Sequence, residues 1–122
     1  MNSVNLIGKL TRDVELKYTP SGTAVANISI AVNKVYTKDG EKVEEVSYFD
    51  VVAWTKSAEN CAKYIAKGSK IAVSGELKQE RWEEDGGNKR SRVKITANRI
   101  QFLDAKKDGV AEPSEDDGQG SI

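Results

Sequence analysis

Histidine is absent from this 122-residue chain, and cysteine occurs once, at Cys61. Those two shortages close off a large part of enzyme chemistry. Without imidazole there is no Ser-His or Cys-His nucleophile pair and no histidine general base. With a single thiol there is neither a disulfide framework nor a zinc site built on His or paired Cys. Cys61 stands among Ala58, Ala62 and Ile65, which is company for a small buried hydrophobe. Long apolar runs are also missing. Nothing approaches the roughly 20 residues of a membrane span, and Asn2, Asn5 and Lys9 interrupt any apolar segment that could act as a secretory signal. The expected location is cytoplasmic.

Net charge is absent overall, with 19 basic and 19 acidic side chains. The cancellation is uneven along the chain. Residues 105–122 hold two lysines against five carboxylates, a balance of −3, while the other 104 residues hold 17 basic and 14 acidic groups, a balance of +3. A basic body with an acidic tail hints at an anionic ligand. From Ala105 onward apolar residues nearly vanish, so the tail cannot offset its ordering entropy and is expected to be disordered.

Apolar residues in the body recur with the period of β-strands. Val4, Leu6 and Leu10 mark a first strand, and Pro20 and Gly22 are spaced for a tight turn after it. Ala26, Ile28, Ile30 and Val32 then alternate with Asn27, Ser29, Ala31 and Asn33, predicting a strand with one buried face. A charged stretch follows, centred on the hairpin dipeptide Asp39-Gly40, and it predicts a ribbon extending beyond the body. After Thr55 the period lengthens. Ala58, Cys61, Ala62 and Ile65 predict a helix of about three turns, with Thr55 or Ser57 as its cap and Gly68 as its stop. Ile71, Val73, Gly75 and Leu77 mark the inward row of a fourth strand, and Asp85-Gly86-Gly87-Asn88 the next turn. Val93, Ile95 and Ala97 form the inward row of a fifth. Ile100 and Phe102 fall out of phase with that row, predicting a bulge or bend near Asn98.

Five strands with one helix between the third and fourth is the order of an OB-fold, a small Greek-key barrel. The expected fold class is all-β, with an OB domain over residues 1–104 and a short acidic tail over 105–122.

The stretch Tyr48-Phe49-Asp50-Val51-Val52-Ala53-Trp54 has two unlike faces. Phe49, Val51 and Ala53 form a core row. Tyr48, Asp50, Val52 and Trp54 form a row that is aromatic and charged, suited to a wet surface. Trp82 is likewise off the buried phase, and Tyr36 lies on the extended ribbon. Cations are interleaved with these rings: Lys34 and Lys38 around Tyr36, Lys56 after Trp54, Lys78 and Arg81 before Trp82, and Arg92 and Lys94 on the returning strand. Rings for bases and cations for phosphates are the requirements of sequence-tolerant binding to single-stranded nucleic acid, which needs no catalytic group and no cofactor. Asp50 should repel phosphate and is expected to pair with a nearby Lys or Arg. Asp13, Glu15 and Asp50 are the carboxylates a metal-dependent nuclease would draw on. Only one of them lies in the aromatic row, too few for a two-metal site.

Several motifs resemble the bacterial single-stranded DNA-binding protein (SSB) family. They are Asn5-Leu6-Ile7-Gly8-Lys9-Leu10-Thr11-Arg12-Asp13, Tyr18-Thr19-Pro20-Ser21-Gly22, Val25-Ala26-Asn27, Phe49 to Trp54, Ala58-Glu59, Lys67-Gly68-Ser69 and Val73-Ser74-Gly75-Glu76-Leu77, ending at Arg81-Trp82. They keep the family's order over residues 1 to about 103. The resemblance implies an OB-fold homotetramer, nucleoid-associated, that binds single-stranded DNA in replication, repair and recombination. The family's stacking aromatics fall on Tyr36, Tyr48, Trp54 and Trp82. An OB-fold dimer of the primosome accessory type, working through protein contacts, shares this element order, and the aromatic set argues against it. The family's acidic tip ends in a Pro-Phe pair that docks replication and repair proteins, whereas this chain ends Gly118-Gln119-Gly120-Ser121-Ile122. Recruitment through the tip is therefore not implied here, and a phage-encoded or auxiliary paralogue fits. Val14 stands where the family often has Pro.

Overall fold

A computed structural model describes residues 1–103. The tail expected over 105–122 lies outside the described residues. Six strands and one helix follow in the order β1 (Val4–Leu10), β2 (Glu15–Tyr18), β3 (Ala24–Lys38), β4 (Glu41–Trp54), α1 (Thr55–Tyr64), β5 (Lys70–Glu83) and β6 (Lys89–Phe102). β1 pairs with β5, β5 with β6, β6 with β4, β4 with β3, and β3 again with β1. The ring closes, so this is a five-stranded barrel with β2 as a flap on β3.

The sixth strand has a simple origin. β1 and β2 both pair with β3, Leu10 opposite Ile30 and Glu15 opposite Asn27, so the chain between them carries two residues more than an unbroken ladder would. They are two halves of one OB strand, broken at 11–14. After the break β2 stays on β3, whereas β1 runs along β5 from Val4 opposite Gly75 to Lys9 opposite Lys70. Counted as one strand, they leave the helix between the third and fourth strands, as the sequence predicts. Leu16–Tyr18 is thus strand, and the turn begins at Thr19, where Thr23 Oγ1 and the Thr23 N–H gather around the Thr19 and Ser21 hydroxyls.

The core is the inward row of each strand. Leu10, Ala26, Ile28, Ile30, Val51, Ala53, Ile71, Val73 and Ile95 are buried, and α1 closes one end with Ala58 and Cys61. Small side chains at those two helix positions let the helix sit close to the strands. Burial pushes the Cys61 thiol up to about 12, so it is a packing group rather than a nucleophile. The helix ends differ from the sequence expectation. Trp54 is the N-cap and makes no side-chain cap bond, and the helix stops at Tyr64 with Ile65 extended. Gly68 lies further on, at φ 92° in a turn whose N–H donates to the Leu10 carbonyl at 2.9 Å.

Leu77 and Val93, expected to point inward, do so in phase but are half exposed. The β5–β6 ribbon has by then run past the barrel, and nothing among the described residues covers them. The bulge near Asn98 is present. Ser74 opposes Arg99 and Gly75 opposes Ala97, so Asn98 has no partner and Ile100 regains the inward phase. Glycine is required opposite this bulge, because a Cβ on residue 75 would lie 2.2 Å from the Thr96 carbonyl oxygen. Gly75→Ala is expected to destabilise the fold by about 2–3 kcal/mol, read as a lower urea midpoint with an unchanged m-value.

Candidate nucleic-acid interface

Register decides which side chains of β3 and β4 meet water. Ile30 opposes Phe49, Ile28 opposes Val51 and Ala26 opposes Ala53, all turned to the core. The alternate pairs turn outward: Ala31 with Tyr48, Ser29 with Asp50, Asn27 with Val52, and Val25 with Trp54. Tyr48 is 72% exposed and Trp54 44%, while Val52 at 9% is covered. Flat β-strand geometry sets Tyr48 and Asp50 about 7 Å apart along the strand.

This face continues onto β6. Val51 and Ile95 are partners in the parallel β4–β6 pairing and both are buried, so Asp50 and Lys94, one residue earlier on each strand, share the outer face. From there the β5–β6 ladder sets Lys78 opposite Lys94, Glu80 opposite Arg92 and Trp82 opposite Arg90 on that face. Trp82 is 42% exposed, and the Arg92 guanidinium lies 5.9 Å from its ring centroid. Lys94 Nζ is 3.5 Å from a Glu80 carboxylate oxygen. Two lysines directly opposite repel each other, a cost that an anion lying over them would relieve.

The remaining candidates fall elsewhere. The β3–β4 register puts Tyr36 opposite Val43 and in phase with Ile28 and Ile30, on the other face of the ribbon from Tyr48. Lys34 and Lys38 share that phase, and Lys34 Nζ is 5.8 Å from the Tyr36 ring centroid. Arg81 is on the reverse face from Trp82, its Nη2 donating to Gln79 Oε1 at 2.8 Å. Lys56 is exposed on the first turn of α1. Three of the four rings thus share one surface, with Lys78, Arg92 and Lys94. Tyr36, Lys34 and Lys38 form a second cluster across the ribbon.

Besides Arg90 opposite Trp82, further cations absent from the sequence reading join the main face. Lys17 of β2 opposes Val25 of β3, which opposes Trp54 of β4, so Lys17 stands in the Trp54 row two strands away. Arg12 lines the same groove as Lys17, Ser29, Asp50, Arg92 and Lys94. Nothing local marks either residue. Their place depends on the broken first strand. Tyr18 is a further exposed ring, but it turns toward α1, its hydroxyl 3.4 Å from Glu59 Oε2.

The ion pair expected of Asp50 is not formed. Its Oδ1 accepts from Ser29 Oγ at 3.3 Å, and among the described residues no lysine or arginine nitrogen lies within 4 Å. Lys94 is held by Glu80 at 3.5 Å and Lys17 by Glu15 at 3.6 Å, and the Arg92 guanidinium lies against the Trp82 ring. Asp13 Oδ1 accepts the Lys67 N–H at 2.8 Å, a structural bond between the first-strand break and the turn after α1. Among the described residues no three His, Cys, Asp or Glu side chains gather as a metal site would require. No helix among them is long and apolar enough to cross a membrane.

The model of the single-strand binding protein family matches residues 1–103. The chain is similar to the single-stranded DNA-binding protein of Helicobacter hepaticus, 49% identical over 92% of this chain and 66% of that one. The corresponding protein of Treponema pallidum is 44% identical over 91% of this chain and 62% of that one. The chain thus spans somewhat less than two thirds of the length of these relatives. Among solved structures, the single-stranded DNA-binding protein of Thermus aquaticus, a deletion mutant, superposes with a TM-score of 0.77 at 34% identity, covering 86% of this chain and 51% of that one. The Plasmodium falciparum SSB in complex with single-stranded DNA has the same fold, with a TM-score of 0.77 at 23% identity over 85% of this chain and 96% of that one.

Trp54 is aimed by a strained neighbour. Thr55 has φ 56°, a left-handed conformation that a β-branched residue rarely adopts, and its Oγ1 donates to the Trp54 carbonyl at 2.7 Å. The strain ends β4 abruptly and starts α1 with the indole left on the outer face. Thr55→Gly should remove about 1–2 kcal/mol of strain. Glycine's greater unfolded-state entropy returns part of that gain. The net expectation is a rise of a few degrees in Tm by calorimetry, with Thr55→Val showing no rise.

Proposed function

The chain belongs to the single-strand binding protein family, and from that premise we propose that it binds and protects single-stranded DNA without sequence preference, as a non-enzymatic partner in replication, repair and recombination. One observation carries the reading. Tyr48, Trp54 and Trp82 are exposed on one continuous outer face that also bears Lys78, Arg92 and Lys94. Bases stack on the rings, and the cations take phosphates. Tyr36, with Lys34 and Lys38, extends the path over the far side of the β3–β4 ribbon, so a bound strand wraps the ribbon. Lys56 and Arg81 flank the path near Trp54 and Trp82, and Arg12 and Lys17 extend it. Four stacked bases set a gross ceiling of about 4–12 kcal/mol before ordering costs.

The same reading includes assembly as a homotetramer in a cytoplasmic, nucleoid-associated setting. Its support is apolar surface that the described residues leave open: Ile7 on β1, Val35 on the first ribbon, and Leu77 and Val93 on the second are each half exposed or more. Sedimentation equilibrium should return four times the chain mass. A dimer mass would favour the accessory-protein arrangement instead.

Titration with oligo-dT should quench the emission of Trp54 and Trp82. Affinity should fall with salt at a log–log slope of about −0.7 per neutralised phosphate. Unchanged emission together with no gel shift at low salt would overturn the reading. Trp54→Ala is expected to weaken binding by about 1–3 kcal/mol and to leave the urea midpoint within error of the parent.

A further inference from the structure

Of the two carboxylates that line the groove of the main face, Glu15 and Asp50, only Asp50 is without a lysine or arginine partner among the described residues. It is exposed and central, on the same strand row as Tyr48 and Trp54, in a groove with Arg12, Glu15, Lys17, Arg92 and Lys94. Its place is fixed by the Ser29 hydroxyl at 3.3 Å, and among the described residues it neutralises no cation. Glu15 and Glu80 each pair with a lysine in the unbound chain, and Glu76, opposite Thr96 on the same face, is not among the residues that line the groove. A carboxylate has about four lone-pair sites, and one hydroxyl leaves the others open to the groove. Phosphate and sugar oxygens carry negative charge or lone pairs and are repelled. Within a DNA strand, whose sugars carry no 2′-hydroxyl, the parts that can meet Asp50 favourably are base edges that donate N–H.

The bases differ in how well they can do so. Thymine's single N3–H is flanked by two carbonyl oxygens that a carboxylate repels. Cytosine and adenine each offer an exocyclic amine beside ring-nitrogen acceptors. Guanine alone has two adjacent donors, N1–H and the N2 amine, matching the two oxygens of a carboxylate. In a single strand these edges are open to be read. A base stacked on Tyr48 has its edge within reach of a side chain two residues along the same strand, about 7 Å away. Resting on the single-stranded DNA reading above, we propose that Asp50, steadied by Ser29, reads the edge of a base stacked beside it and favours guanine, adding a modest base preference to sequence-tolerant stacking. The four cations around it keep the backbone on the groove walls, so the carboxylate turns bases inward and phosphates outward.

The test compares the full chain with Asp50→Asn, a nearly isosteric change at an exposed position. The probes are four oligonucleotides of one length: all thymine, and thymine with dispersed substitutions by guanine, hypoxanthine or adenine. Adenine reproduces the purine stacking area without the paired donors, and hypoxanthine keeps N1–H but lacks the N2 amine. The parent protein is expected to bind the guanine strand about fivefold more tightly than the adenine strand, with hypoxanthine between them. In Asp50→Asn the guanine-to-adenine ratio should fall below about twofold, while affinity for all-thymine rises because a negative charge has left the groove. An equal guanine-to-adenine ratio in the two proteins overturns the base-reading role. Oligo-dT binding by the parent without any guanine preference overturns it too, and leaves the single-strand reading standing. Failure of the parent to bind any of the four strands removes both.

Discussion

The fourteen residue pairs of the β3–β4 ladder run in one register, from Val25 opposite Trp54 to Lys38 opposite Glu41. Side chains alternate between faces with a period of two, so a slip of one residue would turn Tyr48 and Trp54 into the core and Val51 and Ala53 out to water. Burial of Ile28, Ile30, Val51 and Ala53 penalises that slip heavily, and the Asp39-Gly40 turn, with φ of 53° and 80°, pins the far end. The proposed binding surface is thus held in place by the side chains that avoid water. The core's hydrophobic free energy does the aiming. The exposed rings contribute little to it.

Where the barrel closes, the geometry is tighter and local exceptions accumulate. β4 and β6 meet through only two residue pairs, Val51 with Ile95 and Val52 with Thr96, and β1 meets β3 through two more. These short seams need close backbone approach and a bend on the neighbouring strand. Gly75 against Thr96, the unpaired Asn98, and Gly8, where a Cβ would lie 2.7 Å from the Ala31 carbonyl oxygen, supply both. The seams also create the site. By joining β6 to β4 they place Arg92, Lys94 and Trp82 beside Asp50, Tyr48 and Trp54. A strand pair with the same residues in an open sheet would present two separate half-sites.

Charge on this face is balanced rather than simply positive. Lys94 is held by Glu80, Lys17 by Glu15, and Arg90 by Glu84 at 2.9 Å. Such exposed pairs contribute little to stability and are screened by salt, so they yield easily when a phosphate competes for the cation. They hold long side chains near their working positions without committing them. Within the groove Asp50 is the exception, fixed by a hydroxyl and, among the described residues, not by a cation. That is why its carboxylate remains chemically available.

Most of the fold was legible in the sequence. Alternation along Ala26–Val32 and Phe49–Ala53, the helical spacing of Ala58, Cys61 and Ile65, the Asp39-Gly40 turn and even the phase jump at Asn98 are local signals, and each corresponds to an element in the structure. Solvent exposure of Tyr48, Trp54 and Trp82 was legible for the same reason, because a period of two assigns a face without reference to any partner. Four things were not: the break that makes β1 and β2 of one strand, the exposure of Leu77 and Val93 beyond the barrel end, the place of Arg12 and Lys17, and the partner of Asp50. All four depend on which strands become neighbours across long sequence separations, and on how several charged groups divide a limited set of partners. By itself, then, the amino-acid order determined the strand faces, the turns and the chemical kind of surface this protein carries. Tertiary structure alone decided which of its rings and cations share one face and left the groove carboxylate of Asp50 without a cation partner among the described residues, because closing a barrel is a long-range event that no local pattern encodes.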